Sequence, residues 1–513
     1  MTHYLFCAGG CGARVLESIV HACALGLGPE EIKILTIDPD AGGGNLGKTN
    51  DIINKYSACQ RVFGGNLGDE QFFRTKLTLL GNGQGDAAGA WSPVSSDQQF
   101  RQVVGYDTLT PEQKQIADLF FTPDELSMEM DVGFLGHPSI GAAALSLLPL
   151  LRGSVPWNGI AGQLAADLAA GPVRVMIAGS VFGGTGASTF FPLALWLRKA
   201  AGNDVHRLSI GVIALSPYFV FPPAGMNARR RGGPDVRKFP QATQAAAQFY
   251  NQMRTLATTD PNNWPFAAMF WLGDDDPISL PRCEGGEGQQ NPPHFLELLA
   301  AHATMEFFEG APDGGPCYYA GTSGNHPNVM TWAEIPRLRP DPLKTLRRQS
   351  LKFLLCGLMH SRFYWPMLVG GDGVAPMQPE VIPWYHRYFF RENRNLAMPP
   401  ESEAMNAFSE YNRQHVKWWS TMHYTTPHRL LILNTSAFEP KADAAGRPYV
   451  QLDNQKMRNL EHPDNPLRHS EGETEFHKFT FAGYPKGAQK GAPAYLAILA
   501  RASAKFVYKY YGI

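Results

Sequence analysis

The chain has 513 residues, of which 44% are hydrophobic and 18% charged, and its formal net charge is −1. That balance is globular, supplies apolar material for two or three packed domains, and sets up no field that would draw the protein to nucleic acid or an anionic membrane. The opening residues MTHYLFCAGGCG lack the basic segment and long apolar run of a secretory signal, and no stretch reaches the roughly 18 uninterrupted apolar residues of a membrane span. The cysteines (Cys7, Cys11, Cys23, Cys59, Cys283, Cys317 and Cys356) are odd in number, scattered and without metal-ligand spacing, which fits reduced thiols better than a disulfide framework. The expectation is a cytoplasmic protein with no membrane span and no nucleic-acid partner.

In chain order the first 50 residues read as β-α-β. HYLFCA is a short strand, GGCG a turn, and ARVLESIVHACALGL a helix with Val15, Leu16, Ile19, Val20 and Cys23 on one face. EIKILTID is a second strand that ends in acid. Residues 51–131 are Gly- and Ser-rich in places and read as a loop-rich insertion with one or two helices. GFLGHPSIGAAALSLLPLL is a glycine turn feeding an apolar helix. VRVMIAGS is a strand, VFGGTGAS a turn and TFFPLALWLRKAA a helix, followed by the apolar strand in RLSIGVIALSPYF. The Pro-, Gly- and Arg-rich residues 219–238 read as a loop. A helix (PQATQAAAQFYNQMRTL), a strand (FAAMFWLGD) and a long helix (PHFLELLAAHATMEFFE) complete the pattern to about residue 310. Beyond it, DPLKTLRRQSLKFLLCGLMHSRFY is helical, while RLLILNTS and FTFAGY read as short strands among polar loops. The aromatic run HVKWWSTMHY is expected in the core. The predicted architecture is a doubly wound, mostly parallel α/β domain over residues 1–310, with a smaller α+β domain over 311–513.

Each strand-to-helix turn in such a fold is a candidate anion site, because free backbone N–H groups and the helix dipole point out of the helix start. Two single-turn readings present themselves. GGGNLGKT, Gly42 to Thr49, satisfies the P-loop spacing, with Lys48 for the phosphates and Thr49 for magnesium, but DPDAG separates it from its strand. Alternatively Gly10 and Gly12 form the G-x-G of a dinucleotide fold with Asp38 as the ribose acid, but Val15 stands where the third glycine belongs.

Taken together, the turns resemble the nucleotide loops of the tubulin/FtsZ family. GGCGAR, with Gly10, Cys11, Gly12 and Arg14, is similar to the family's first loop, and LTIDPD to its second, placing Asp38 and Asp40 where the family keeps its magnesium-facing acids. LGHPSIGAAA, with Gly136, Pro138 and Gly141, resembles the third loop. GSVFGGTGAS resembles the signature G-G-G-T-G-[ST]-G through Gly183, Gly184, Thr185 and Gly186. IALSPYF, with Ser216 and Pro217, is similar to the fifth, ribose-side loop. The family's central helix supplies a ring that stacks on guanine, and Phe295 is that candidate here. Asn291, His294 and Glu297 are the candidates for the residue that reads the base edge.

The resemblance covers about residues 4–310. It implies GTP or GDP with magnesium, self-association into filaments, and hydrolysis completed by an acid that the next subunit inserts through its seventh loop. The chain departs from the pattern in several places. Arg14 replaces the Gln or Asn that touches the base, Phe182 replaces the first signature glycine, and the second and third loops are separated by several dozen additional residues. No N-x-D seventh loop follows the central helix, where Asp313 in EGAPDGGPCYYAGTSGNHPN is the nearest aspartate. Two expectations result: a polymerising GTPase, or a nucleotide-binding scaffold or sensor that does not hydrolyse and serves an operon-encoded partner, for instance in a defence complex.

Overall fold

A computed structural model describes the chain apart from residues 41, 82–89, 132, 135, 147–154, 223–237, 261–262, 282, 284–285, 311–316, 322–328, 331, 333–334, 336–340, 366–367, 369–381, 392–401, 426–428, 431, 434–439, 443–447, 451–459, 461–471 and 482–485. Seven strands form its central sheet: Thr2–Ala8 (β1), Glu31–Ile37 (β2), Lys76–Leu79 (β3), Val173–Ser180 (β4), Leu208–Leu215 (β5), Ala268–Gly273 (β6) and Cys317–Gly321 (β7). In space they run β3-β2-β1-β4-β5-β6-β7, with every neighbouring pair parallel. The α/β class expected from the sequence is therefore present, and the sheet continues past residue 310 through β7.

Helices cover both faces, which is why the central strands are largely apolar. In β1, Tyr4 and Phe6 enter one core while Leu5 and Cys7 enter the other, as alternation requires. The first core includes the Trp157–Ala170 and Gly184–Ala201 helices. The opposite core takes the predicted face of the Gly9–Ala24 helix (α1), where Val15, Leu16, Ile19, Val20 and Cys23 are at most 1% exposed. Each such buried aliphatic side chain contributes roughly 1.5–3 kcal/mol.

The second core continues without a break into the C-terminal third. Helices Pro342–Met359, Ser402–Thr425 and Ala492–Tyr511 place Phe353, Trp419 and Tyr495 in it, alongside Phe73 and Tyr56 from the first third. The aromatic run at 415–424 lies on the Ser402–Thr425 helix, and Trp418 and Trp419 are core residues, as expected. FTFAGY is not a strand: Phe479 and Thr480 end the helix Gly472–Thr480. Its apolar alternation is short enough that packing of Phe476 and Phe479 against Phe506 decides in favour of helix. Sequence reading also passed over β3, the Trp157–Ala170 helix and the final helix.

Chain order and spatial order reverse between β1 and β4. The chain winds from β1 outward to β2 and β3, then returns to lay β4 on the other side of β1. This reversal opens a crevice at the carboxyl ends of β1 and β4, where ligands bind in open α/β sheets.

Candidate functional site

The crevice is a cleft of about 150 Å³. Three helices begin on its wall, each directly after a strand or its short extension. They are α1 after β1, Gly44–Phe63 (α2) after β2, and Gly184–Ala201 (α3) after β4. The residues before them, Ala8, Gly43 and Gly183, provide no side-chain cap, and no first turn carries an acid. An uncapped helix start leaves its first N–H groups without intrahelical partners and carries about half a positive charge. The amide of Gly44 is satisfied by the Gly286 carbonyl at 2.9 Å, and that of Gly183 by Ser180 Oγ at 3.3 Å. The starts of α1 and α3 retain first-turn amides at Gly10, Cys11, Thr185 and Gly186, all on the cleft wall.

Close packing explains the glycines. A Cβ on Gly12 would lie 2.8 Å from the Ala178 carbonyl oxygen and from Cys7, so glycine lets α1 rest on β1 and β4. A Cβ on Gly186 would come within 2.6 Å of the Ser180 backbone, so the tight strand-to-helix turn requires glycine there as well.

Two carboxylates face this electropositive wall. Asp38 and Asp40 follow β2 and line the cleft together. Asp38 accepts the Asp40 amide at 3.2 Å, and Asp40 Oδ2 accepts the Gly286 amide at 2.8 Å. Burial, reinforced by the neighbouring Asp40 charge and opposed by the Asp40 N–H, pushes the Asp38 carboxyl up to about 7. A cation beside it would reverse that shift. Among the described residues no group of three His, Cys, Asp or Glu side chains is arranged to hold a metal ion. A magnesium ion here would therefore take Asp38 and Asp40 plus oxygens from its ligand, which suits an ion that prefers one or two carboxylates and phosphates to an all-protein cage.

Of the residues singled out in sequence, Gly10, Cys11, Asp38, Asp40, Gly136, Gly183, Gly184, Thr185 and Gly186 converge on this cleft. Gly12 lies beneath it. Gly141 packs against the Gly184 carbonyl and Ser188, in a helix that opens with Pro138. Ser216 and Pro217 line a different cleft. Phe295 is 1% exposed and belongs to the core.

Arg14 is fully buried in an ion-paired group, bonding Glu17 and, at 3.2 Å, Glu297, whose other oxygen accepts from Tyr218 at 2.9 Å. Burial raises the Glu297 carboxyl against the opposing pull of Arg14. This group ties α1 to the central helix behind the cleft and presents none of its charges there. Of the three base-reading candidates, only Asn291 reaches the wall, its amide fixed by Asn45 Oδ1 at 2.8 Å. The Cys11 thiol is pushed up to about 11 by burial, so it is a neutral wall residue and not a nucleophile.

The P-loop match has no cradle. α2 begins at Gly44, which puts Lys48 more than a turn inside the helix, with Nζ 3.9 Å from Glu17 and 3.5 Å from the Asn291 carbonyl. Thr49 Oγ1 donates to the Ala13 carbonyl at 2.8 Å. The same segment nevertheless contributes Gly43, Asn45 and Leu46 to the wall, so the stretch singled out in sequence lies at the cleft as a helix start and not as a P-loop. Phe182 also lines the cleft, packed against Phe219 and Phe239 at ring-centroid distances of 5.6 and 4.8 Å. Asp313, the seventh-loop candidate, lies outside the described residues.

The fold and site define a doubly wound α/β protein with an anion-receptive, carboxylate-flanked cleft at its topological switch point. No protein-family model matches the chain, and no curated protein does so.

Proposed function

We propose that the protein is a tubulin/FtsZ-like nucleotide-binding protein that holds the phosphates of GTP in this cleft, with magnesium on Asp38 and Asp40. On this reading it self-associates and hydrolyses the nucleotide in the assembled state. The observation that carries the proposal is the convergence of three uncapped helix starts on one cleft that also contains two carboxylates. Amides and dipoles would hold the phosphate oxygens, and the ion would neutralise charge across them. The family order of the loops in the sequence, four of which reach this cleft, supports the nucleotide class. Asn291 is the base-side candidate, since Arg14 is spent on its ion pairs.

A second reading, a non-hydrolysing nucleotide-binding scaffold serving a protein partner, is favoured by the lack of an N-x-D motif after the central helix and by the bulk of Phe182 at the phosphate wall. One experiment addresses both. Purified protein is centrifuged with GTP, with ATP and with neither, and released phosphate is measured in the same tubes. GTP-dependent pelleting with turnover supports the polymerising GTPase. Soluble protein that retains nucleotide without turnover supports the scaffold. Failure to retain either nucleotide refutes the nucleotide reading.

A further inference from the structure

A second and larger cleft, about 630 Å³, opens away from the switch point. One wall is the helix Phe239–Leu256 (α4), whose Thr243, Gln244, Ala247, Tyr250, Asn251 and Arg254 recur at three- and four-residue spacing and so share one face. The other wall comes from the ends of β5 and β6, with Trp271 and Met269 on β6 and Trp264 just before it. Tyr250 forms the floor between two indoles, its ring 6.4 Å from Trp264 and 6.2 Å from Trp271, both nearly perpendicular. Trp271 Nε1 donates to Ser216 Oγ at 2.8 Å, which fixes that ring.

A cleft of this size with aromatic walls and a few polar groups at its rim has the form of a small-molecule site. The half-buried faces of Trp264 and Trp271 favour a flat ring over a branched aliphatic chain. The rim charges narrow the class further. Asp274 turns inward, its side chain fully buried 3.6 Å from His294 Nε2, and so offers no charge to a ligand. Arg254 is exposed and makes no ion pair among the described residues. Arg254 is the one cationic side chain among the described residues that line the cleft, which matches a ligand with a single acidic group.

We propose that this cleft is a second ligand site, which takes a planar aromatic molecule bearing a single acidic group, with the ring between Trp264 and Trp271 and the acid at Arg254. Phe239 walls both clefts, so the two sites are direct neighbours.

The test uses the full chain without nucleotide, so its result is independent of what the phosphate cleft binds. The probe is 1-anilinonaphthalene-8-sulfonate, a fused aromatic carrying one sulfonate. The expected result is one saturable site per chain. Ala247→Trp, which fills the cleft from an exposed helix position, should weaken the probe at least tenfold, and Arg254→Gln several-fold. The neutral analogue N-phenyl-1-naphthylamine should bind more weakly than the sulfonate and be indifferent to Arg254→Gln. Absence of saturable binding, or binding unchanged by Ala247→Trp in a variant with the wild-type circular dichroism spectrum, overturns the proposal. Equal effects of Arg254→Gln on both probes overturn the acidic-ligand assignment.

Discussion

Introducing a carboxylate at Gly10 separates the effect on folding from the effect on phosphate binding, because the two have opposite signs. Gly10 is the second residue of α1 and lines the phosphate cleft. A Cβ there would meet only the Asn45 side chain, with Nδ2 at 3.2 Å, a contact relieved by a shift of a few tenths of an ångström that keeps the Asn45 Oδ1 bond to the Asn291 N–H. An acid in the first turn interacts favourably with the helix dipole, by roughly 0.3–1 kcal/mol. Removing a glycine from a helix contributes about 0.5–1 kcal/mol more. Gly10→Asp should therefore fold at least as stably as the wild type. Its carboxylate, however, would face the bound phosphate, and for a separation of about 5 Å at an effective dielectric of about 20 each pair of unit charges repels by about 3 kcal/mol. Binding of N-methylanthraniloyl-GTP, followed by fluorescence, should fall by more than about a hundredfold. Gly10→Asn, with the same shape and no charge, should lose less than about tenfold. If Gly10→Asp keeps its thermal midpoint and binds within threefold of the wild type, phosphate does not sit at the start of α1, and the convergence of helix termini has been misread.

Three further outcomes are expected. Asp38→Asn should weaken GTP binding at least tenfold in magnesium while leaving it equal or tighter in EDTA, since the same substitution removes a metal ligand and a repulsive charge; equal losses in both conditions, read by equilibrium dialysis, would contradict the metal role. Lys48→Ala should cost less than tenfold in GTP affinity, because Lys48 points toward Glu17 and the Asn291 carbonyl; complete loss would restore the P-loop. Burial pushes His415 down to about 3 in a contact group with His21 and Trp419, so it stays neutral in the fold while the unfolded chain takes up its proton below about pH 6.5. Its contribution is complete above pH 6.5 and is lost progressively as pH falls toward 3, by about 2 kcal/mol between pH 7 and pH 5. Urea unfolding of His415→Gln should show that much less acid destabilisation than the wild type, whereas an identical pH slope would mean the ring is protonated in the native protein.

The alternation of strand and helix, and hence the α/β class, was legible in the sequence, because long apolar strands and amphipathic helices announce themselves by period alone. VRVMIAGS became β4 residue for residue, and the predicted face of α1 is the face that packs. The glycine turns were legible for the same local reason: a chain that leaves a strand and at once starts a helix needs residues without side chains. Which turns meet was decided by tertiary structure. Asp38 and Gly184 are 146 positions apart in the chain and share a wall only because β2 and β4 flank β1 in the sheet. Arg14 and Glu297 read as candidates for the base, yet burial pairs them with each other, since a charge removed from water needs a partner more than the cleft needs a donor. Phe295 went to the core because a ring that can be wholly covered by apolar neighbours is more stable there than half-exposed at a cleft. Local pattern thus sets what each segment can become. The winding order of the strands, which brings distant residues together and takes neighbours apart, sets what the segments do together.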